Sequence, residues 1–338
     1  MSVTLKDIAL VAGVSVGTVD RALNNRGRIN AEVAERVRTI AKQMNYRTNT
    51  VAKSLAIRNK NLTIAVVLHV QQNEFFGEVE DGLRRAQNEI RDFGITVKVY
   101  HCRDFDPADQ LAQINNAVED GAAGLILVPI EHPDITSKIT QLKQEGLPVV
   151  FLAALLDNVS CFSAVHCDYP RSGRIAARLI DMISGGHGSV MIFSPSFTMF
   201  GHRQRVESFV KYIADKKSEL HLIKIVELPN DSFGTYRITL EQLREYAQVD
   251  NVVFCGNTEA GVRAIEECGR KINTVVYDFS PAAKSALLEN HIDVALQQSP
   301  AEQGYRAVMI LFDYLTSKKI PASEILVENK IIFKECID

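Results

Sequence analysis

The chain has 338 residues, enough for two or three domains with cores of their own. Hydrophobic residues make up 46% and charged residues 23%, which is ordinary for a globular protein and argues against a disordered chain. The formal net charge is -3, but residues 1–60 hold 11 Lys and Arg against 4 Asp and Glu. A basic head on an acidic body predicts a polyanionic partner for the head.

The cysteines and the N-terminus bear on the compartment. None of the six cysteines forms a C-x-x-C pair, and several lie in apolar runs, which favours a reducing environment. The N-terminus lacks the apolar core of a signal peptide, and no apolar run approaches the roughly 20 residues of a membrane span. We therefore expect a soluble cytoplasmic protein.

Residues 4–24 contain two short helical patterns separated by a turn at Gly13. Apolar residues mark one face of each pattern: Ile8, Ala9 and Val11 in the first, and Val19, Ala22 and Leu23 in the second, which opens at Ser15. Two short helices joined by a tight turn containing glycine predict a helix-turn-helix, whose second helix enters the DNA major groove.

A third helix is predicted from Ala31 to Met44, with Asn30 as its N-cap, and it closes a small core with the first two. A short helical stretch follows over 50–56, and 58–61 is a polar linker.

From Thr63 onward, short β-rich apolar runs alternate with longer amphipathic patterns. Continuous apolar strands separated by helices are typical of parallel sheets covered on both faces. Nine or ten such units exceed one sheet, so we predict an α/β body of two doubly wound parallel subdomains with a ligand cleft between them.

Four segments carry a family resemblance: "LKDIALVAGVSVGTVDRALN", "INAEVAERVRTIAKQMNYRTN", "VAKSLA" and "TIAVVLHVQQNEFFGEVEDG". The first three resemble the lactose-repressor (LacI) family of bacterial transcription regulators. The fourth resembles the first strand and helix of ribose-binding proteins, which have the periplasmic-binding-protein type I fold. The resemblance implies a repressor of carbohydrate genes that binds a pseudo-palindromic operator as a homodimer and is controlled by a sugar-like effector.

The same resemblance implies an order of domains. Residues 1–48 form the helix-turn-helix domain, 49–61 the hinge helix and linker, and 62–338 the effector-binding and dimerisation domain. Within that domain, we expect the N-subdomain over about 62–162 and 295–322, and the C-subdomain over about 163–294 and 323–338.

The family's second helix reads the major groove, which makes Val16, Gly17 and Arg21 the base-facing candidates. Arg21 can donate two hydrogen bonds to guanine. Phosphate or hinge contacts are expected from the other matching positions: Thr4, Leu5, Lys6, Ser15, Thr18, Asn24, Arg28, Asn30, Asn49, Leu55 and Ala56. Leu55 matches the leucine that wedges into the central minor-groove step and kinks the DNA. Asp20 departs from the family's small hydroxyl residue, and Thr48 stands where proline is common.

Effector contacts are expected where polar and aromatic side chains follow the strands, since open α/β sheets bind ligands at the carboxyl ends of their strands. Matched to the ribose-binding branch, the candidates are His69, Asn73, Phe75, Phe76, Arg203, Asn257, Asp278 and Gln298. Ala153-Ala154 replaces an Asp-Arg pair that grips sugar hydroxyls in that branch. Pentose specificity therefore does not transfer.

Enzyme motifs are absent from the sequence. Gly185-Gly186-His187-Gly188 lies between a helix and a strand, whereas a phosphate-cradling loop needs the reverse order. The eight histidines lack metal-ligand spacing, so neither a metal nor another cofactor is expected. Two alternatives remain open: a regulator controlled by a partner protein with a non-functional cleft, and a solute-binding protein, which would need an export signal.

Overall fold

The chain forms a head of three helices followed by two parallel α/β subdomains. The computed structural model describes residues 3–23, 29–44, 57–58, 60–69, 74–103, 105–195, 197, 199–216, 219–229 and 231–337. The predicted fold class is confirmed. Within these ranges, no helix is both long and apolar enough to cross a membrane.

The head contains α1 (Leu5–Ala12), α2 (Val16–Leu23) and α3 (Ala31–Gln43). Its core is centred on three fully buried side chains, Ile8, Val19 and Val37, one from each helix. Local signals set the helix ends, because Gly13 ends α1 in the left-handed region (φ 63°) and the side-chain oxygen Oδ1 of Asn30 caps α3.

The body begins with alternating strands and helices. The elements up to the first crossover are β1 (Thr63–His69), α4 (Glu74–Ile90), β2 (Thr96–Cys102), α5 (Pro107–Glu119), β3 (Gly124–Leu127), α6 (Pro133–Gln144), β4 (Val149–Leu152) and β5 (Ser163–Cys167). Next come α7 (Tyr169–Ile183), β6 (His187–Ser194), α8 (Phe200–Lys216), β7 (Glu219–Glu227), α9 (Ser232–Glu245), β8 (Val249–Phe254), α10 (Thr258–Cys268), β9 (Asn273–Tyr277), α11 (Pro281–Leu288) and β10 (Val294–Gln297). The chain ends with α12 (Pro300–Ser317), β11 (Glu324–Val327) and β12 (Lys330–Ile332).

Two sheets of six strands organise the body. The N-subdomain sheet has the order β11-β5-β4-β3-β1-β2, and all of its pairs are parallel. The C-subdomain sheet has the order β12-β10-β9-β8-β6-β7, in which only β12 runs antiparallel to its neighbour. Apolar residues fill the space on both faces of each sheet, as expected for parallel sheets covered by helices.

The division of the body predicted from the sequence was wrong at its edges. Ser163–Cys167 and Glu324–Val327 pair within the N-subdomain sheet, whereas Val294–Gln297 pairs within the C-subdomain sheet. The chain therefore crosses between subdomains at 168, at 298–299 and at 328–329. All five residues of β5 are buried, although Ser163 and His166 give it only a short apolar run in the sequence.

Candidate functional site

The exposed face of α2 carries the residues predicted to face bases. Val16 is 40% exposed, and Gly17 and Arg21 are also exposed. Arg21 folds back along its own helix, where Nε donates to the carbonyl oxygen of Gly17 at 3.0 Å. The guanidinium is thus held on the surface of the second helix, within reach of a groove into which that helix is placed.

Several predicted phosphate contacts also stabilise helix ends. The Ser15 hydroxyl accepts from the Thr18 amide at 3.1 Å, and the two hydroxyls are 2.9 Å apart. Asn30 Oδ1 accepts from two amides of α3, and the Thr4 hydroxyl donates to Asp7 at 2.7 Å. These side chains therefore begin helices, as well as lying on the exposed surface of the head.

One position in the head differs from the predicted apolar pattern. Val11 was predicted to face the head core, but it is 60% exposed because the buried stripe of α1 runs through Ile8, Ala9 and Ala12. Leu5 is half-buried against the core, whereas Lys6 is exposed. The predicted contacts Asn24, Arg28, Asn49, Leu55 and Ala56 lie outside the described residues.

A cavity lies between the two subdomains. It encloses about 720 Å³ of empty space, counted out to its open mouth. The residues that line it are Phe75, Phe76, Phe105, Val128, Ala153, Ala154, Tyr169, Pro195, Met199, Gly201, His202, Arg205, Gly256, Asn257, Asp278 and Gln298. Many of them directly follow a strand, so the cavity occupies the edge where ligands bind in open α/β sheets.

Arg205 on α8 is the most deeply buried charged group of this cavity, with 2% of its surface exposed. Its guanidinium lies 4.9 Å from the ring centre of Tyr169 and 4.4 Å from that of Tyr277. One Nη donates to Gln298 Oε1, whereas Nε has no hydrogen-bond partner among the described residues. Burial raises the pKa of both tyrosines, so they present neutral rings to the guanidinium.

Close packing of two helices places Arg205 at the cavity. A Cβ added to Gly173 of α7 would lie 2.2 Å from the carbonyl oxygen of Arg205. Only glycine therefore allows α7 and α8 to approach so closely, and this approach brings Arg205 between the two tyrosine rings.

Asp278 and Gln298 extend the polar network from Arg205. Gln298 Nε2 donates to Asp278 Oδ1 at 2.6 Å, so Gln298 connects the guanidinium to the carboxylate. The Asn257 amide donates to the Pro229 carbonyl oxygen at 2.8 Å and to the Thr235 hydroxyl at 3.1 Å.

Three residues of the cavity wall have left-handed backbone conformations: Ala153 (φ 53°), Asn257 (φ 52°) and Asp278 (φ 68°). Such conformations are costly for residues other than glycine, and they concentrate at ligand sites because the surrounding structure holds them in place.

The structure brings together five of the predicted effector residues, since Phe75, Phe76, Asn257, Asp278 and Gln298 all line the cavity. His69 does not line it, because the ring is buried under Phe105 and its Nε2 lies 3.1 Å from the Val128 carbonyl oxygen. Asn73 lies outside the described residues.

Arg203 is also outside the cavity wall. Its guanidinium lies 3.1 Å from Asp157 and 3.5 Å from Glu131, two acids of the N-subdomain. Residues two apart on a helix point about 200° apart, so Arg203 and Arg205 cannot both face the cavity. The sequence contains both arginines, but only the rotation of α8 about its axis shows that Arg205 lines the cavity wall where Arg203 was expected.

His202 also lines the cavity and was not predicted. Burial, with the nearby positive charge of Arg205, lowers the pKa of its imidazole from 6.5 to about 3. The ring is therefore neutral near pH 7, and its Nδ1 has no hydrogen-bond partner in the part of the chain that the structure describes.

This lowered pKa predicts a pH-dependent stability. The unfolded state takes up a proton below pH 6.5 that folded His202 accepts only near pH 3, so stability is lost as pH falls between these values. The loss is up to about 1.4 kcal/mol per pH unit. As the pH falls from 6.5 to 4, the melting temperature of His202→Gln should therefore decrease less steeply than that of the wild type. His221→Gln removes an exposed imidazole and is the control. If the melting temperatures of His202→Gln and the wild type fall equally steeply with pH, the lowered pKa of His202 is contradicted.

No group of three or more His, Cys, Asp or Glu arranged to hold a metal ion occurs in the part of the chain that the structure describes.

Comparison with known protein families identifies both parts of the chain. Residues 64–319 match the model "Periplasmic binding protein domain", and residues 4–49 match "Bacterial regulatory proteins, lacI family". The chain belongs to the periplasmic binding protein family, with a lacI-family head. The expected resemblance is thereby confirmed for the head and for the body.

Individual relatives match most of the chain. Catabolite control protein A of Priestia megaterium is 22% identical, and the alignment covers 99% of each chain. Ribose import binding protein RbsB of Salmonella typhimurium is 23% identical over 90% of this chain and 99% of its own. The solved glucose-galactose binding protein GanP of Geobacillus stearothermophilus superposes with a TM-score of 0.74 at 20% identity, covering 81% of this chain and 98% of its own. That last likeness concerns the fold of the binding-protein body alone.

Proposed function

We propose that the protein is a cytoplasmic, homodimeric transcription repressor that binds a pseudo-palindromic operator and is released or tightened by a small sugar-like effector in the cavity. The observation that carries this proposal is the pairing of a lacI-family head with a cleft that contains a buried arginine. Similar whole-length relatives include catabolite control protein A and the HTH-type transcriptional repressor PurR of Mannheimia succiniciproducens.

Charge and exposure support the DNA-binding role of the head. The excess of seven positive charges within residues 1–60 coincides with the helix-turn-helix, and the predicted base-facing side chains lie on its surface. Such a charge excess attracts DNA without regard to sequence, and base-facing groups on α2 then select the operator.

The polar wall of the cavity favours ligand binding over a non-functional cleft. Arg205 Nε and His202 Nδ1 lie at the cavity, and neither has a hydrogen-bond partner within the described ranges. A buried donor or acceptor left unpaired costs about 1–3 kcal/mol, which a bound polar ligand would recover. A regulator controlled only through a partner protein has no need of such a wall.

Selection of bound fragments from random DNA by the full-length protein tests the proposal. We expect enrichment of one inverted-repeat sequence, and titration of a sugar panel should then change the affinity for it. Recovery of no preferred sequence would contradict the role as a sequence-specific regulator. Recovery of an operator with no response to any compound that binds the protein would favour control by a partner protein.

The dimeric arrangement has a measurable consequence. One head spans a half-site, so the complex with the full operator should contain two chains and one duplex by sedimentation. Binding should weaken by at least roughly 10³-fold between 50 and 200 mM salt, because two basic heads displace counterions from several phosphates. A monomer that binds a single half-site tightly, or a shallow salt dependence, would be inconsistent with this arrangement.

A further inference from the structure

The two walls of the cavity differ in chemistry. The C-subdomain wall carries the polar groups His202, Arg205, Asn257 and Asp278, and Gln298 lies on the crossover beside them. The N-subdomain contributes only apolar side chains to the described wall, namely Phe75, Phe76, Phe105, Val128, Ala153 and Ala154. Within the described wall, a ligand can therefore form side-chain hydrogen bonds on one side and contacts apolar groups on the other.

The polar groups nearest the N-subdomain wall are already paired within the protein. The Val128 carbonyl oxygen accepts from Gln110 Nε2 at 2.9 Å, and His69 Nε2 lies 3.1 Å from the same oxygen. Gln110 Oε1 accepts from the Ile130 amide at 2.9 Å. The Phe105 ring stacks on His69 at 4.3 Å between ring centres, so an aromatic face covers this polar pair.

The segment after β4 is also apolar toward the cavity. Ala153 and Ala154 offer methyl groups, and the carbonyl oxygen of Ala153 accepts from the Tyr169 hydroxyl at 2.5 Å. A ligand hydroxyl placed here would find neither a side-chain partner nor that backbone acceptor.

The charged groups of the cavity wall narrow the class of ligand further. The described residues that line the cavity include one cation, Arg205, and one carboxylate, Asp278, joined through Gln298, and His202 is neutral near pH 7. Their formal charges cancel, so the described wall holds no surplus cation for a phosphate or carboxylate. A neutral ligand matches this balance.

We propose that the effector is a neutral sugar with one apolar face, either a deoxy sugar or an alkyl or aryl glycoside, seated with its hydroxyls toward Arg205 and Asp278 and its apolar group against Phe105 and Ala154. This inference rests on the proposed function of the cavity and specifies its ligand class.

Isothermal titration of the full-length protein with matched pairs of sugars tests the ligand class. The pairs are D-galactose with D-fucose, L-mannose with L-rhamnose, and D-glucose with methyl and phenyl β-D-glucopyranoside; D-glucuronate adds an anionic probe. In at least one pair, we expect the member with the apolar group to bind roughly tenfold or more tightly than its partner, because a hydroxyl buried without a partner loses about that much affinity. Glucuronate should bind more weakly than glucose.

Two variants test whether the N-subdomain wall causes the preference for the sugar with the apolar group. Phe105→Ala uncovers His69 and Gln110, and Ala154→Ser adds a hydroxyl, so each should reduce the preference several-fold. Phe162→Ala is the matched control, since its ring packs on Tyr314 and does not line the cavity. Circular dichroism confirms that each variant is folded.

The outcomes separate the ligand class from the proposed function. If the fully hydroxylated member binds as tightly as its partner in every pair, or if glucuronate binds most tightly, the ligand class is wrong and the cavity remains an effector site. If Ala154→Ser and Phe105→Ala leave a measured preference unchanged, the N-subdomain wall does not select the ligand. If no member of the panel binds, the ligand class and the effector role of the cavity both fail, while operator selection still reports on the head.

Discussion

Arg205→Met is expected to abolish the effector response of operator binding while ligand-free operator binding stays close to that of the wild type. The guanidinium is buried at the cavity wall, so its removal deprives the ligand of a charged donor that water cannot replace. A hydrogen bond to a charged group contributes about 1.5–3 kcal/mol, which corresponds to a roughly 10- to 100-fold weaker Kd. Titration calorimetry with the best-binding sugar, and operator binding with and without that sugar, measure the two effects.

Arg203→Met is the matched control for this prediction. It carries the same substitution two residues earlier on α8, where the guanidinium pairs with Asp157 and Glu131 outside the cavity wall. These ion pairs are partly exposed, and such pairs contribute at most about 1 kcal/mol. If Arg203→Met weakens ligand binding as much as Arg205→Met does, the cavity assignment is wrong, provided that both variants melt cooperatively near the wild-type temperature.

Arg21→Ala is expected to weaken binding to the cognate operator by about 1–3 kcal/mol and to relax the preference at one base pair in each half-site. In the free protein Arg21 is exposed and Nε bonds to the Gly17 carbonyl oxygen, a surface contact that a bidentate bond to guanine can replace at little cost. Fluorescence anisotropy with the operator and with singly substituted operators measures both effects.

Arg38→Ala provides the comparison for Arg21. Arg38 lies on α3, not on α2, and pairs with Glu35 at 3.3 Å. Its removal should weaken binding to all DNA sequences slightly and equally. If Arg21→Ala shows the same uniform weakening, Arg21 contacts phosphate and does not read a base.

Local patterns were sufficient to predict most elements of this protein. Gly13 and Asn30 mark helix ends through their own backbone and side-chain chemistry, so the three helices of the head follow from nearby residues. The apolar runs of the body likewise predicted nine of the strands, because a strand buried on both faces needs a continuous apolar sequence. These features depend on residues a few positions apart in the chain. The family resemblance also predicted the order of the domains.

The membership of strands in sheets depended on distant pairing. β5 and β11 join the N-subdomain sheet although 156 residues lie between Cys167 and Glu324 in the chain. The positions of the three crossovers, and hence the walls of the cavity, follow from that pairing. Nothing within a few residues of Ser163 shows which of two sheets will accept the strand.

Side-chain direction was likewise decided by the tertiary structure. The sequence by itself determined that an arginine of α8, an acid after β9 and aromatic residues after β1 would lie near the cleft. Only the packing of α7 against α8 at Gly173 decided that Arg205 faces the cavity and Arg203 faces Asp157 and Glu131. Local sequence sets the order of side chains around a helix, but the rotation of the helix about its axis is set by what it packs against.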